Sequence, residues 1–135
     1  MLVVDASIAL AWCFADEASP LADSALQRLG SEETVAPALW AFEVANGLLS
    51  AERRGRIGAE ELPKLHELLS ALPIRLESLS LSDVLGDVRE LARSLGLSVY
   101  DASYLALALR RGAILATADV RLRAASERAG IEVLR

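Results

Sequence analysis

The stretch Leu2 to Ser7, LVVDAS, constrains the fold of this chain more than any other. Three consecutive apolar residues, two of them β-branched and with no polar alternation, read as a strand buried on both faces, as in the centre of a parallel sheet. Asp5 ends that run. The carboxyl end of a central strand lies on the edge of an open α/β sheet where ligands bind, so Asp5 is a candidate site group. A buried charge there predicts a counter-charge beside it.

The rest of the chain reads as helices alternating with short apolar runs. SIALAWCF after Asp5 predicts a short buried helix, DEASP from Asp16 to Pro20 breaks it, and PLADSALQRLG predicts a second. Further helices are predicted at Pro37 to Arg54, Ala59 to Leu72, Ser82 to Leu95, Val99 to Arg111 and Val120 to Arg128. Arginine followed by glycine closes segments at Gly30, Gly55, Gly96, Gly112 and Gly130, the pattern of a cation at the negative helix end and a left-handed stop. Between helices lie Thr34 to Ala36, Ile74 to Leu76, Ala113 to Ala116 and Ile131 to Leu134, without hairpin dipeptides. The expected fold class is α/β: one domain over residues 1–135, with a central parallel sheet of four to five strands and helices on both faces. A chain of 135 residues that is 53% hydrophobic suits one core burying roughly two-thirds of the unfolded surface.

Several functional classes are excluded by composition. No apolar run approaches the ~20 residues that span a bilayer, and Asp5 interrupts the first apolar stretch, so a cytosolic protein with no membrane segment is expected. The lone cysteine, Cys13, rules out an internal disulfide or a cysteine-built zinc site and reads as an apolar filler. His66, in PKLHELL, reads as a solvated surface histidine. A net charge of −5 argues on its face against nucleic acid, but if four acids serve one cation the remainder carries −5 + 4 = −1. Lys64 is the only lysine among fourteen basic residues, and the thirteen arginines carry the planar fork that suits phosphate.

Four of the nineteen acids stand out by position. Asp5 follows the first strand. Glu43 lies in PALWAFEVANGLL, a helix apolar around most of its circumference, where it is either half-buried or part of a polar face with Asn46 and Ser50. Asp101 occupies the first turn of the apolar helix VYDASYLALAL, and Asp119 follows the strand AILAT and opens VRLRAASERAG. Both are also placed to cap helices. Acids without histidine or cysteine partners suit a hard cation, Mg2+ or Mn2+, completed by water and a substrate phosphate. Such an ion serves phosphodiester hydrolysis. Ser7 and Thr117, two residues from Asp5 and Asp119, are supporting candidates that bond the carboxylates or a bound water, or serve as turn hydroxyls.

VVDAS, Glu43 in FEVANGL, YDASYLALA around Asp101 and TAD at Thr117 to Asp119 together resemble the PIN-domain ribonucleases, specifically the VapC-like toxins of toxin–antitoxin pairs. Order and spacing agree over nearly the whole chain. The resemblance implies a PIN-like domain with the first strand central, RNA cleavage dependent on Mg2+ or Mn2+, a homodimer and a VapB-like antitoxin. It maps the acidic site onto Asp5, Glu43, Asp101 and Asp119, as metal ligands and catalytic groups. Trp12, Phe14, Leu39 and Trp40 are then candidates for the antitoxin groove or dimer contact, against an ordinary core role. A housekeeping RNA-processing PIN nuclease and an inactive RNA- or protein-binding PIN module are the alternatives. Haloacid-dehalogenase-like phosphatases and response-regulator receivers also place an acid after the first strand, but both need a late lysine. Here Lys64 is in mid-chain.

Overall fold

The computed structural model describes residues 1–135. Four strands, β1 (Leu2–Val4), β2 (Thr34–Pro37), β3 (Ile74–Glu77) and β4 (Ile114–Ala116), form one parallel sheet in the order β3-β2-β1-β4. All three β1 residues are fully buried, as a double-sided central strand requires. Val3 packs with Val35, Leu115 and the helices of one face, while Leu2 and Val4 join Ile8, Ala25 and Leu134 on the other. The sheet is therefore covered on both sides.

Helices α1 (Ala6–Cys13), α2 (Pro20–Arg28), α3 (Leu39–Arg53), α4 (Leu62–Ser70), α5 (Leu81–Asp83), α6 (Arg89–Leu95), α7 (Val99–Arg111) and α8 (Val120–Arg128) connect and flank these strands. Apolar periodicity located α7 and α8 to the residue. Pro37, expected to open a helix, instead closes β2, and α4 begins at Leu62 rather than Ala59, with Pro63 in its first turn. The helix expected from Ser82 to Leu95 is present, but Val84–Val88 winds as a π-helical segment between α5 and α6. Ile131 to Leu134 does not form a full fifth strand. Only Val133 makes a parallel bridge, to Leu115.

Four of the expected glycine stops have positive φ: Gly55, Gly96, Gly112 and Gly130. Gly30 does not, because α2 ends in right-handed turns through Leu29. Phe14 and Trp40 are buried, and Trp12 and Leu39 are partly covered and packed on the core. Cys13 is half-buried beside the small Phe14, Ala51 and Ile57 cluster, and His66 is exposed.

The chain runs outward from β1 to β2 to β3 and then crosses to β4 on the other side of β1. The strand order thus reverses between β1 and β4. In open α/β sheets the crevice beyond the carboxyl ends at such a reversal is the binding site.

Candidate active site

Asp5 leaves β1 at this crevice and Thr117 leaves β4 beside it. The two strands are locked there by the Asp5 N–H donating to the Ala116 carbonyl at 3.1 Å. Asp5 is 5% exposed, and the counter-charge expected beside it is absent: no basic side chain pairs with it. Hydroxyls take that place. The Ser7 hydroxyl donates to Oδ1 and the Thr117 hydroxyl to Oδ2, each at 2.5 Å, and the Ile8 N–H adds a capping bond at 3.3 Å. Burial pushes the carboxyl up from 3.8 to about 6 against these three donors, with the charge of Asp119 adding to the rise.

The two hydroxyls are themselves oriented by backbone amides. Ser7 Oγ accepts from the Ala118 N–H at 2.9 Å, and Thr117 Oγ1 accepts from the Asp119 N–H at 3.0 Å. Each hydroxyl proton is left pointing at Asp5. Asp119 caps α8, its Oδ1 accepting from the N–H groups of Arg121 and Leu122 at 2.8 and 3.1 Å. The cap and strand-end roles expected for it coexist.

Glu43 and Asp101 enter from the facing helices α3 and α7. Glu43 is half-buried, so the fully solvated polar face does not form. Its Oε1 accepts from the Tyr104 hydroxyl at 2.5 Å, while Oε2 accepts nothing from the protein. Burial, then repulsion from Asp101, raises its carboxyl above the ordinary range, with Tyr104 opposing. Asp101 sits in the first turn of α7, which Ser98 rather than Asp101 caps. Its carboxyl too is raised, by burial and then by Asp119, with Ser98 and Arg121 opposing.

Repulsion therefore links the acids in a chain, Glu43 to Asp101 to Asp119 to Asp5. None of the four joins an ion pair, whereas Asp16, Glu17, Glu32, Glu33, Glu77, Asp83, Glu90 and Glu127 all do. As their side chains are placed, no three acidic, histidine or cysteine groups converge closely enough to ring one ion.

Tyr104 is the site residue that sequence reasoning passed over. It is 1% exposed, and burial followed by the Glu43 carboxylate holds its phenol far above its ordinary value, so it remains a donor. A tyrosine three residues after Asp101, on the same face of a largely apolar helix, must find an acceptor when buried, and that was the available signal. Tyr104→Phe is expected to lower stability by about 1–2 kcal/mol at neutral pH, read from the denaturant midpoint, because the charged acceptor loses its donor.

The PIN domain profile matches residues 2–128, and the chain belongs to the PIN domain family. Ribonuclease VapC3 of Pyrobaculum aerophilum is 38% identical over 125 residues, spanning 90% of this chain and 91% of that protein. Ribonuclease VapC9 of Mycobacterium tuberculosis is 35% identical over 123 residues, spanning 90% of this chain and 88% of its own. The crystal structure of PAE2754 from Pyrobaculum aerophilum superposes with a TM-score of 0.72 at 27% identity, covering 98% of this chain and 87% of the other.

Proposed function

We propose that residues 1–135 act as one Mg2+- or Mn2+-dependent endoribonuclease, the toxin of a VapBC-type pair, with Asp5, Glu43, Asp101 and Asp119 forming its acidic centre. The observation that supports this is a pair of acids, Asp5 and Asp119, at the topological switch point, linked by repulsion to Asp101 and through it to Glu43, with no basic partner on any of the four. Eight acids elsewhere form ion pairs, and the other acids without one do not border this crevice. Here the chain leaves its acids for something positive. An all-oxygen donor set, in which burial raises the proton affinity of Asp5, Glu43 and Asp101, fits a hard divalent ion that keeps part of its water shell.

When bound, the ion supplies charge neutralisation at the phosphoryl group and its leaving oxygen. The protein's own share is orientation and proton handling. Ser7 and Thr117 hold both oxygens of Asp5, Asp119 is anchored by the amides of α8, and Tyr104 fixes Oε1 of Glu43. The free Oε2 of Glu43 is then the group placed to take the proton of the attacking water.

Chelation tests this reading. Protein treated with EDTA is expected to lose cleavage of structured RNA and to regain it with Mg2+ or Mn2+; full activity in the chelated protein removes the metal from the mechanism. No helix is long and apolar enough to cross a membrane, and a cytoplasmic location follows from the RNA substrate under this reading. A homodimer and a VapB-like antitoxin complete it. A groove of about 360 Å3 between α3 and α4, beside Trp40 with its unpartnered indole N–H, is the seat we assign to an apolar antitoxin segment. Co-expression with the product of the adjacent gene tests that assignment by complex formation and suppressed cleavage.

A further inference from the structure

Seven of the thirteen arginines are paired with acids. Three of the six left over, Arg121, Arg123 and Arg128, lie on α8, the helix that Asp119 caps. Backbone carbonyls hold them instead. The Arg121 guanidinium donates to the Gly96 carbonyl at 3.3 Å and that of Arg128 to the Leu95 carbonyl at 3.2 Å, both at the end of α6, while Arg123 donates to the Thr117 carbonyl at 3.2 Å. A carbonyl orients a guanidinium without cancelling its charge, and most of its five N–H donors stay free. All three are therefore fixed cations without an ion-pair partner.

Two of them are tied to the acidic crevice by bonds. The peptide N–H of Arg121 donates to Asp119 Oδ1 at 2.8 Å, and its side-chain charge lowers the proton affinity of Asp101. Thr117, which holds Arg123 by its carbonyl, holds Oδ2 of Asp5 by its hydroxyl. Arg128 leads away from the acids: it is seven residues beyond Arg121 on the same face of α8, about 10 Å along the axis, and its guanidinium meets the same end of α6. The helices that carry the other acids bring no such charge. Asp5 caps α1, which has no basic residue; the first in α3 is Arg53, ten residues past Glu43; the first in α7 is Arg110, nine past Asp101 and paired with Asp83. Of these four helices, α8 alone sets cations beside the acids.

We infer that the α8 arginines hold the RNA backbone on one side of the cleaved phosphate only, Arg121 and Arg123 next to the acids and Arg128 further along, so that the bond cut lies at the end of a gripped tract. This rests on the nuclease reading above. A chain of net charge −5 repels RNA at long range, and its affinity must come from cations concentrated where the backbone runs. The guanidinium fork matches phosphate oxygens, and these forks are already oriented by their carbonyls. Phosphates on the α1 and α3 side of the crevice meet no fixed cation from those helices and add little to binding.

The test uses the full chain carrying Asp5→Asn, so that RNA is bound and not cut, with Mg2+ and a fluorescein-labelled mixed-sequence oligoribonucleotide of about a dozen nucleotides. Arg121→Gln, Arg123→Gln and Arg128→Gln keep an N–H for the carbonyl and lose the charge. Each is expected to weaken binding by about 3- to 10-fold at low salt and to reduce the slope of log K against log salt by about 0.7, with the melting temperature unchanged. Arg121→Lys, Arg123→Lys and Arg128→Lys should keep the slope, and Arg53→Gln, at the far end of α3, should change neither slope nor affinity. Sidedness is read with an uncharged methylphosphonate linkage placed next to the mapped cleavage site, on each side in turn. One placement should weaken binding, and do so far less in Arg121→Gln protein; the other should have no effect. Unchanged slopes in all three glutamine variants overturn the inference, as do an equal loss in Arg53→Gln or equal losses from both placements. Lysine variants that lose the slope as the glutamine variants do would assign the arginines to packing of α8 on α6, which also overturns it. If any of these results appears while EDTA and Mg2+ still switch cleavage off and on, the nuclease reading stands and only the one-sided grip is removed. Protein that neither binds nor cuts RNA removes both.

Discussion

Asp5→Asn protein, stripped of metal and measured above neutral pH, is expected to be more stable than the wild type while cleaving RNA at least about 100-fold more slowly. The stability sign follows from linkage. The Asp5 carboxyl rises from 3.8 to about 6 on folding, so between those values the folded protein holds the proton more tightly than the unfolded chain. Stability is therefore retained at acid pH and falls as pH climbs through about 6. Asp5 is almost wholly buried, so the full shift amounts to about 3 kcal/mol at about 1.4 kcal/mol per tenfold change in proton affinity. Part of the gain in Asn is returned. Both hydroxyls donate to Asp5 while accepting from backbone amides, and an Asn N–H2 group must turn one of them around at a cost of about 1 kcal/mol. A net gain of about 1–2 kcal/mol above neutral pH, vanishing at acid pH, should appear as the difference between two denaturant series. Added Mg2+ should stabilise the wild type and not the variant. A variant less stable at every pH would make Asp5 a structural acid.

Substitutions at Asp119 are expected to separate capping from chemistry. Its Oδ1 accepts from two amides at the start of α8, which Asn reproduces and Ala does not. Asp119→Asn should leave stability within about 0.5 kcal/mol of wild type, and Asp119→Ala should lose about 1–2 kcal/mol. Both should lose cleavage by about 100-fold or more, because both remove the charge. Equal activity in Asn and wild type would mean the cap is the residue's whole role. The paired measurement is a melting curve and an initial rate on the same preparation.

The sheet and its two flanking layers were legible because β1 lacks alternation and α7 and α8 carry clear apolar periodicity and polar stops. Positions of the acids were legible for the same reason, since each marks the end of an apolar run or interrupts an apolar helix. What supports them was not. A counter-charge was expected at Asp5 from the general cost of burying a carboxylate, yet two hydroxyls and an amide take that place at the expense of a raised proton affinity. Tyr104 donates to Glu43 across 61 positions of sequence, a pairing that no local pattern encodes. The π-helical segment at Val84–Val88 was likewise hidden, because one extra residue per turn barely disturbs the hydrophobic period. Ile131 to Leu134 shows the opposite failure. Its composition is that of a strand, but only Val133 finds a partner.

The hydroxyl that holds Oδ2 of Asp5 belongs to a residue 112 positions later. Synthesis therefore delivers the two halves of the crevice 112 residues apart. Until β4 leaves the ribosome, β1 is an open sheet edge with three apolar residues, and Asp5 lacks both Thr117 and Asp119. Under the nuclease reading, a nascent chain whose β4 has not emerged lacks Thr117 and Asp119, so its acidic centre is incomplete. A chain that stops short of β4 leaves β1 as an unpaired apolar edge, the kind of surface that aggregates.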